Sequence, residues 1–421
     1  MPEAARTLPL SVRLAGAALA TAGAASLASC GFAPQPHGPV DVNPGYLGAP
    51  ANTPHGVCER VPGTDQEEHD NAARCATAMK GAKVALVTFG VSAPEAQKLA
   101  AGTAELVHRV TEGLITLDVT VVPASPEAVQ ALAAAASPDC VDTQQVAHMA
   151  SAAADQTMPQ LAAADFVLAA NSAPSCSRKI AGVADYNSGR RADIYGAGSN
   201  PPVDAENAAH ELLHDFGLGH AGLQTPDSNN VRLRYTGKGT SVDLRTYLTQ
   251  QSTFAEYGMP GDIMGGGGTT FAHSDPLDLA FLEWPQGVLG GPAADPIKRL
   301  QHGEWTTLSA QDAGAGDLIT GRLQESAFIK DDDAAQATDG NVTAHAFTDL
   351  SVVPNVFRGH ISGAELYLSD ADHAVDLVGR IVDDNLRTGT DDMFFVYGSQ
   401  RWEMRFSDGG LSLRELTATQ P

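Results

Sequence analysis

The sequence has few basic residues: 26 lysines and arginines stand against 50 aspartates and glutamates, which gives a formal net charge of −24 over 421 residues. A surface this negative repels the phosphates of nucleic acids and of anionic lipids. Nucleic-acid binding and a basic membrane-binding patch are therefore both disfavoured. We expect partners that are neutral, cationic or metallic.

Aromatic residues are also sparse, at 6% of the chain, and no internal repeat of fixed period is present, which excludes repeat architectures. Hydrophobic residues nevertheless make up 43%, enough for real cores, and the length fits two or three domains. The 42 glycines and 25 prolines are too many for a helical bundle and too few for a collagen-like chain. We therefore expect a globular protein with many turns.

A long membrane-spanning run is missing as well. Residues 1–29 carry two arginines ahead of an apolar, alanine-rich run over 14–27, which is too short for a stop-transfer helix and is typical of a secretory signal peptide. Its end, 27–30, reads Leu-Ala-Ser-Cys and resembles the bacterial lipobox. This resemblance implies lipidation of Cys30 and an exported protein anchored to a membrane, facing outside the cytoplasm. The alternative is an ordinary signal peptide with a chance cysteine.

Cysteine is scarce, with five in the chain. Besides Cys30 there are Cys58, Cys75, Cys140 and Cys176, an even number in a compartment that permits disulfides. We expect two disulfides, and of the three possible pairings we favour Cys58–Cys75 with Cys140–Cys176 because these close the shortest loops. The rival is a zinc site made of thiolates, but the sequence has no Cys-x-x-Cys pair.

Composition divides the remaining chain into three parts. Residues 30–82 begin with a stretch rich in Pro, Gly, Asn and Ala, and are predicted to form a tether or, alternatively, an inhibitory prosegment. In 83–299, apolar strand-like runs alternate with helical stretches, which predicts an α/β domain. Its predicted strands cover 84–89, 117–122, 166–170 and 192–195, and its predicted helices begin near 94, 143 and 201. Residues 300–421 show short alternating runs between Gly and Asp clusters, so we expect an all-β domain built as a sandwich.

The strongest chemical signal is the segment 210–220, which reads H-E-x-x-H-x-x-G-x-x-H. On a helix, His210 and His214 stand one turn apart on the same face, so both imidazoles can reach one zinc ion. Gly217 can end the helix in a left-handed conformation and return the chain so that His220 becomes a third ligand. Three imidazoles leave a fourth position open, as catalytic zinc sites do.

This motif resembles that of the metzincin zinc endopeptidases, most closely the gametolysin family, with immune-inhibitor-like peptidases next. Segment 262–265, which reads Asp-Ile-Met-Gly, is similar to the Met-turn of that clan, and the resemblance implies that Met264 forms an apolar floor under the histidines. It also implies a mixed sheet with an active-site helix, one catalytic zinc ion, and hydrolysis of protein or peptide substrates with Glu211 as general base. A substrate would align along the edge of the sheet, for which we assign strand 192–195.

The sequence departs from the family pattern in two places. Asp215 stands where many members have asparagine, and Met264 is followed by glycine instead of the tyrosine that some metzincins use as a further ligand or donor. Tyr257 is at most a substitute for that tyrosine.

Acidic clusters in the predicted β domain raise the question of a second metal. Residues 331–333, 383–384 and 391–392 could supply oxygen ligands to Ca²⁺. None of them has the spacing of a calcium-binding loop, and acidic turns are usually only solvated.

The sequence thus predicts an exported, lipid-anchored zinc endopeptidase. One alternative is an inactive peptidase-like protein that binds or adheres at a surface through its β domain, although the intact Glu211 argues against it. Another alternative keeps the zinc but acts as an amidase on cell-wall peptides.

Overall fold

A computed structural model of the protein describes residues 56–58, 64–136, 140, 149–176, 181–184, 189–225, 241–243, 253–255, 259, 261–265, 273–274, 276–290, 297–309, 318–328, 346–357, 360–370, 375–382, 392–397, 400–407 and 410–416. The signal peptide 1–29, Cys30 and Tyr257 lie outside these ranges. So do the acidic clusters 331–333 and 383–384, and Asp391 of the third cluster.

The first part of the chain alternates helices and strands. Its helices are α1 (Asp65–Met79), α2 (Ala93–Val110), α3 (Pro126–Ala135), α4 (Met149–Thr157) and α5 (Pro201–Phe216), with a 3₁₀ turn at Pro159–Ala163. Its strands are β1 (Lys80–Phe89), β2 (Thr116–Pro123), β3 (Phe166–Asn171), β4 (Gly182–Ala184) and β5 (Arg191–Tyr195). Across the described ranges, no helix combines the length and apolarity needed to cross a membrane.

These strands form one sheet in the order β2-β1-β3-β5-β4. The first four run parallel, whereas β4 runs antiparallel to β5. The predicted α/β class is confirmed for this region. Strand β5, however, is not the edge of the sheet, so our assignment of 192–195 as the edge is wrong: the three-residue strand β4, too short to leave a periodic signal, covers it.

Helices pack on both faces of this sheet, and accordingly every residue of β3 is buried. One face carries Leu86 and Leu168 in a core shared with Leu212 of α5. The other carries Val87 and Val167 in a core shared with α3 and α4. Helix α5 is therefore held against the sheet by apolar burial along its length.

Helix α1 lies within the range predicted to be a tether or prosegment. It begins at a capping box in which the Thr64 hydroxyl accepts from the Glu67 N–H while the Glu67 carboxylate accepts from the Thr64 N–H. Ala72, Cys75 and Met79 are buried in the core that also contains α5. Residues 64–82 thus belong to the folded domain.

Both predicted disulfides are confirmed. Cys58 is bonded to Cys75, and Cys140 is bonded to Cys176. The first ties a short N-terminal segment to α1, and the second joins a residue before α4 to one after β3.

The later part of the chain contains one helix, α6 (Pro276–Val288), among its described residues, and otherwise strands. They are β6 (Ala221–Thr225), β7 (Ser241–Asp243), β8 (Thr253–Ala255), β9 (Ile297–Arg299), β10 (Thr306–Ser309), β11 (Leu318–Phe328), β12 (Ala346–Phe357), β13 (His360–Asp370), β14 (Val375–Val382), β15 (Asp392–Tyr397), β16 (Gln400–Ser407) and β17 (Gly410–Leu416). As predicted, every described element within 300–421 is a strand.

These strands form two sheets, ordered β10-β17-β16-β15-β7 and β8-β6-β14-β13-β12-β11-β9. The sheets touch where the ring of Trp402 lies against Gly321, since a Cβ on this glycine would be 2.4 Å from the indole. A sandwich remains a prediction. Strands β6, β7 and β8 come from the range predicted to be the peptidase domain, so the two predicted domains share both sheets.

Asp193 on β5 is a buried carboxylate that holds the start of α4. It accepts hydrogen bonds from the backbone N–H and from the hydroxyl of Ser151, each at 3.0 Å. Burial raises the pKa of Asp193 to about 7, although these hydrogen bonds and the charge of Arg191 favour the ionised form. In the folded protein Asp193 therefore keeps its proton at pH values where the same residue in the unfolded chain has already lost it.

We predict that Asp193 makes the protein less stable as the pH rises from about 4 to about 7. In this window the folded state holds a proton that the unfolded chain releases, so the contribution to stability is complete at the acidic end and is lost towards pH 7. Relative to wild type, the Asp193→Asn variant should gain up to about 4 kcal/mol in free energy of unfolding across the window. Urea unfolding of metal-free protein at several pH values measures this gain. A difference between variant and wild type that is constant with pH would contradict it.

Candidate metal centre

Helix α5 presents the first part of the histidine motif. Pro201 and Pro202 occupy its first positions, where the missing N–H costs no helical hydrogen bond. Leu212 and Phe216 are fully buried and fix the helix against the core. The helix ends at Gly217, whose φ of 110° is the left-handed conformation predicted for this residue.

The turn after Gly217 brings the third histidine back to the first two. The candidate ligand nitrogens of His210, His214 and His220 all lie within 4.8 Å of one another. Ring centroids are 4.6 Å apart for His210 and His214, and 4.7 Å apart for His214 and His220. His214 is only 2% exposed, whereas His210 is partly exposed. The fold therefore assembles the three predicted ligands at one point.

Backbone carbonyls fix the protonation pattern of two of these rings. His210 Nδ1 lies 2.8 Å from the Ile263 carbonyl oxygen, and His214 Nδ1 lies 2.7 Å from the Leu218 carbonyl oxygen. Because a carbonyl can only accept, each Nδ1 must carry the hydrogen and donate it. In a neutral ring, the Nε2 atom then carries a lone pair.

The two Nε2 atoms face each other at 3.0 Å. Burial and the neighbouring rings of His210 and His220 lower the pKa of His214 well below its ordinary value, which keeps this imidazole neutral. At this separation the two nitrogens can share a proton or lie near one common cation. Neutral imidazoles whose Nδ1–H groups donate to carbonyls are the donor set that zinc takes in proteins, so the residues present fit this ion.

The turn 261–265, which contains the predicted Met-turn, supplies one of the orienting carbonyls. Its shape depends on Asp262, whose side chain accepts from the Met264 N–H at 2.7 Å. It also requires Gly265, because a Cβ there would lie 2.7 Å from the Ala221 carbonyl oxygen. Met264 is fully buried.

The same turn is tied to the histidines at two points. The Ile263 carbonyl accepts from His210, as described above, and the Met264 carbonyl accepts from the N–H of Ala221 at 2.9 Å. Ala221 directly follows the third histidine and begins β6. The predicted Met-turn therefore links the first histidine to the strand that leaves the third.

Glu211 is 7% exposed and directly follows the first histidine. Burial and the negative charge of Asp193 raise the pKa of Glu211 well above its ordinary value. A bound divalent cation would act in the opposite direction and favour the carboxylate. The side chain is thus a carboxyl group whose affinity for a proton is raised by its burial.

The edge strand β4 touches this carboxylate. A Cβ built on Gly182 would lie 2.5 Å from Glu211 Oε1 and 2.6 Å from its Cγ. Only glycine leaves room for the glutamate here. Sequence reasoning did not single out Gly182, and the short strand around it offers no pattern from which its role could be inferred.

Comparisons with known proteins add little to this geometry. No protein-family profile matches the chain, and no curated protein matches it. Among solved structures, archaemetzincin from Methanopyrus kandleri is similar over 36% of this chain and 79% of its own, at 23% identity and a TM-score of 0.24. A score this low does not establish a shared fold.

Proposed function

We propose that the protein is a zinc-dependent endopeptidase. The observation that carries this proposal is the pair of Nε2 atoms held 3.0 Å apart by two backbone carbonyls, with His220 beside them. Zinc bound there would polarise a substrate carbonyl and lower the pKa of water towards 7. Three protein ligands and a buried base are the arrangement of a catalytic zinc site, whereas structural sites usually close the fourth position with a protein ligand.

Glu211 has the chemistry of the general base. It accepts a proton from the attacking water as the oxygen adds to the scissile carbonyl, and it donates this proton to the leaving amine as the carbon–nitrogen bond breaks. Its burial favours this cycle because a base in a low-polarity site has a high proton affinity. Met264 and the turn around it hold the imidazoles and do not take part in proton transfer.

The edge strand β4 is the element along which we place the peptide substrate. Strand β4 is the last strand of its sheet among the described residues, and an extended peptide can add to such an edge through backbone hydrogen bonds. Gly182 brings this edge against Glu211. A peptide bound there would have its scissile bond close to the base.

We further propose that the protein acts outside the cytoplasm, held to a membrane through lipid on Cys30. The lipobox-like segment supports this placement. The two disulfides support export as well, because disulfides persist in oxidising compartments. Calcium binding by the acidic clusters has no support beyond their composition.

We predict that Glu211→Gln retains zinc and loses peptide hydrolysis by about 10²- to 10⁴-fold, because only the proton acceptor is removed. His220→Ala should lose zinc as well as activity. His273→Ala is the matched control: this histidine is exposed, the substitution leaves its backbone bonds to the turn in place, and both zinc and activity should remain. Bound zinc per chain and cleavage of casein and of quenched peptides measure these effects.

Other outcomes of this experiment identify the rival functions. Zinc binding with hydrolysis of purified cell-wall peptides, but not of casein, would identify an amidase. Zinc binding with no hydrolysis of any substrate would identify a binding protein. A wild-type protein without zinc would contradict the assignment of the site.

A second prediction concerns the edge strand. Gly182→Ala should displace the Glu211 carboxylate and reduce hydrolysis about as strongly as Glu211→Gln, while zinc binding is retained because the atoms nearest the added methyl group all belong to Glu211. Gly321→Ala is a suitable control for the added methyl group, since its clash is with Trp402 in the β sheets. Activity of Gly182→Ala equal to that of wild type would show that β4 does not constrain the base.

A further inference from the structure

A short segment at the N-terminal limit of the described chain closes the end of the metal-binding helix. We call this segment, Gly56–Cys58, the N-terminal strap. Its Val57 N–H donates to the Asp215 carbonyl at 2.9 Å, and its Cys58 N–H donates to the Phe216 carbonyl at 3.1 Å. The last carbonyls of a helix have no partner within the helix, so the strap supplies partners from a distant part of the chain.

The strap fits this position because glycine stands at the closest contacts. A Cβ on Gly56 would lie 2.3 Å from the backbone nitrogen of Gly217. On its other side, Gly189, two residues before β5, approaches so closely that its own Cβ would lie 3.1 Å from the Gly56 Cα. Gly56 is therefore enclosed between Gly217 and Gly189 with no room for a side chain.

Two anchors hold the strap from other helices. Cys58 is bonded to Cys75 of α1, and both cysteines are fully buried. Trp284 of α6 donates from its indole Nε1–H to the Cys58 carbonyl at 2.9 Å. Neither anchor belongs to the helix that carries the histidines. The strap therefore connects α1 and α6 to the end of α5.

The strap contacts Gly217, the residue at which the chain turns from the second histidine towards the third. At Gly217 the chain leaves the helix after His214 and turns towards His220. The next residue, Leu218, accepts the hydrogen bond from His214 Nδ1. A displacement of the Gly217 backbone would therefore move both the carbonyl that orients the second histidine and the path to the third.

We propose that the N-terminal strap, with the Cys58–Cys75 disulfide, is a positioning element of the metal centre, so that zinc affinity depends on whether this disulfide is formed. This inference rests on the proposed zinc site. The strap touches neither metal nor substrate; it acts through Gly217 and Leu218. Groups that orient metal ligands from outside typically change metal affinity about 10- to 100-fold when they are lost.

The second disulfide offers a matched control. Cys140–Cys176 also closes a loop, but its described residues flank α4 and β3 and make no hydrogen bond to the end of α5. Zinc affinity of the full chain would be measured by competition with a chromophoric chelator for wild type and for the Cys58→Ser/Cys75→Ser and Cys140→Ser/Cys176→Ser variants. We expect the first variant to bind zinc at least about 10-fold more weakly and the second to match wild type.

A pair of glycine variants tests the same inference with both disulfides intact. Gly56→Ala places a methyl group against the Gly217 backbone, whereas Gly410→Ala places one against the Leu308 carbonyl, 2.3 Å away in the β sheets. We expect Gly56→Ala to weaken zinc binding and to alter the visible spectrum of the cobalt-substituted protein, and Gly410→Ala to lower thermal stability only. This pair also decides the question if the first disulfide variant does not fold.

Equal zinc affinity in Gly56→Ala and wild type would overturn the proposal. Equal weakening by both disulfide variants would overturn it too, because the effect would then be one of general stability. A wild-type protein that binds no zinc would instead contradict the proposed function, which keeps the two failures distinct.

Discussion

Two imidazole Nε2 atoms held 3.0 Å apart are the constraint on which the rest of this structure depends. At this distance the two nitrogens can share a proton or bind one cation. Here neither ring can rotate without breaking the hydrogen bond from its Nδ1 to a backbone carbonyl. The fold thus maintains the close approach of the two nitrogens, at a separation that a divalent cation could bridge. The geometry of the two histidines is therefore set by the protein backbone.

The carbonyls that maintain this arrangement come from separate parts of the chain. Leu218 follows the helix directly, and its position depends on the turn at Gly217 that the N-terminal strap encloses. Ile263 belongs to the turn that Asp262 shapes and that Met264 joins to Ala221. From Ala221 the strand β6 continues into the seven-stranded sheet, where it pairs with β14. Three parts of the chain therefore support the metal centre: the turn at Gly217 with the N-terminal strap, the turn 261–265, and the C-terminal β region.

Much of the centre could be predicted because its signals are local. The helical period places His210 and His214 on one face, and a glycine one turn later has few roles other than ending a helix. The disulfide pairing followed from loop length. Helix α1 also left a local signal, the Thr64 and Glu67 capping box, which the composition of the preceding stretch obscured. By contrast, Gly182 owes its role to Glu211, which is distant in sequence, and the strap contacts a helix end about 160 residues away. Contacts of this kind arise from tertiary packing and leave no periodic pattern in the sequence from which they could be predicted.

The most direct test of the central claim is X-ray absorption spectroscopy at the zinc edge of the zinc-loaded full chain. Three histidines with an open position predict a first shell of three nitrogen atoms and one oxygen atom at roughly 2.0–2.1 Å, with the outer-shell scattering of imidazole rings. A shell containing sulfur, fewer than three imidazoles, or no bound zinc at all would contradict the account.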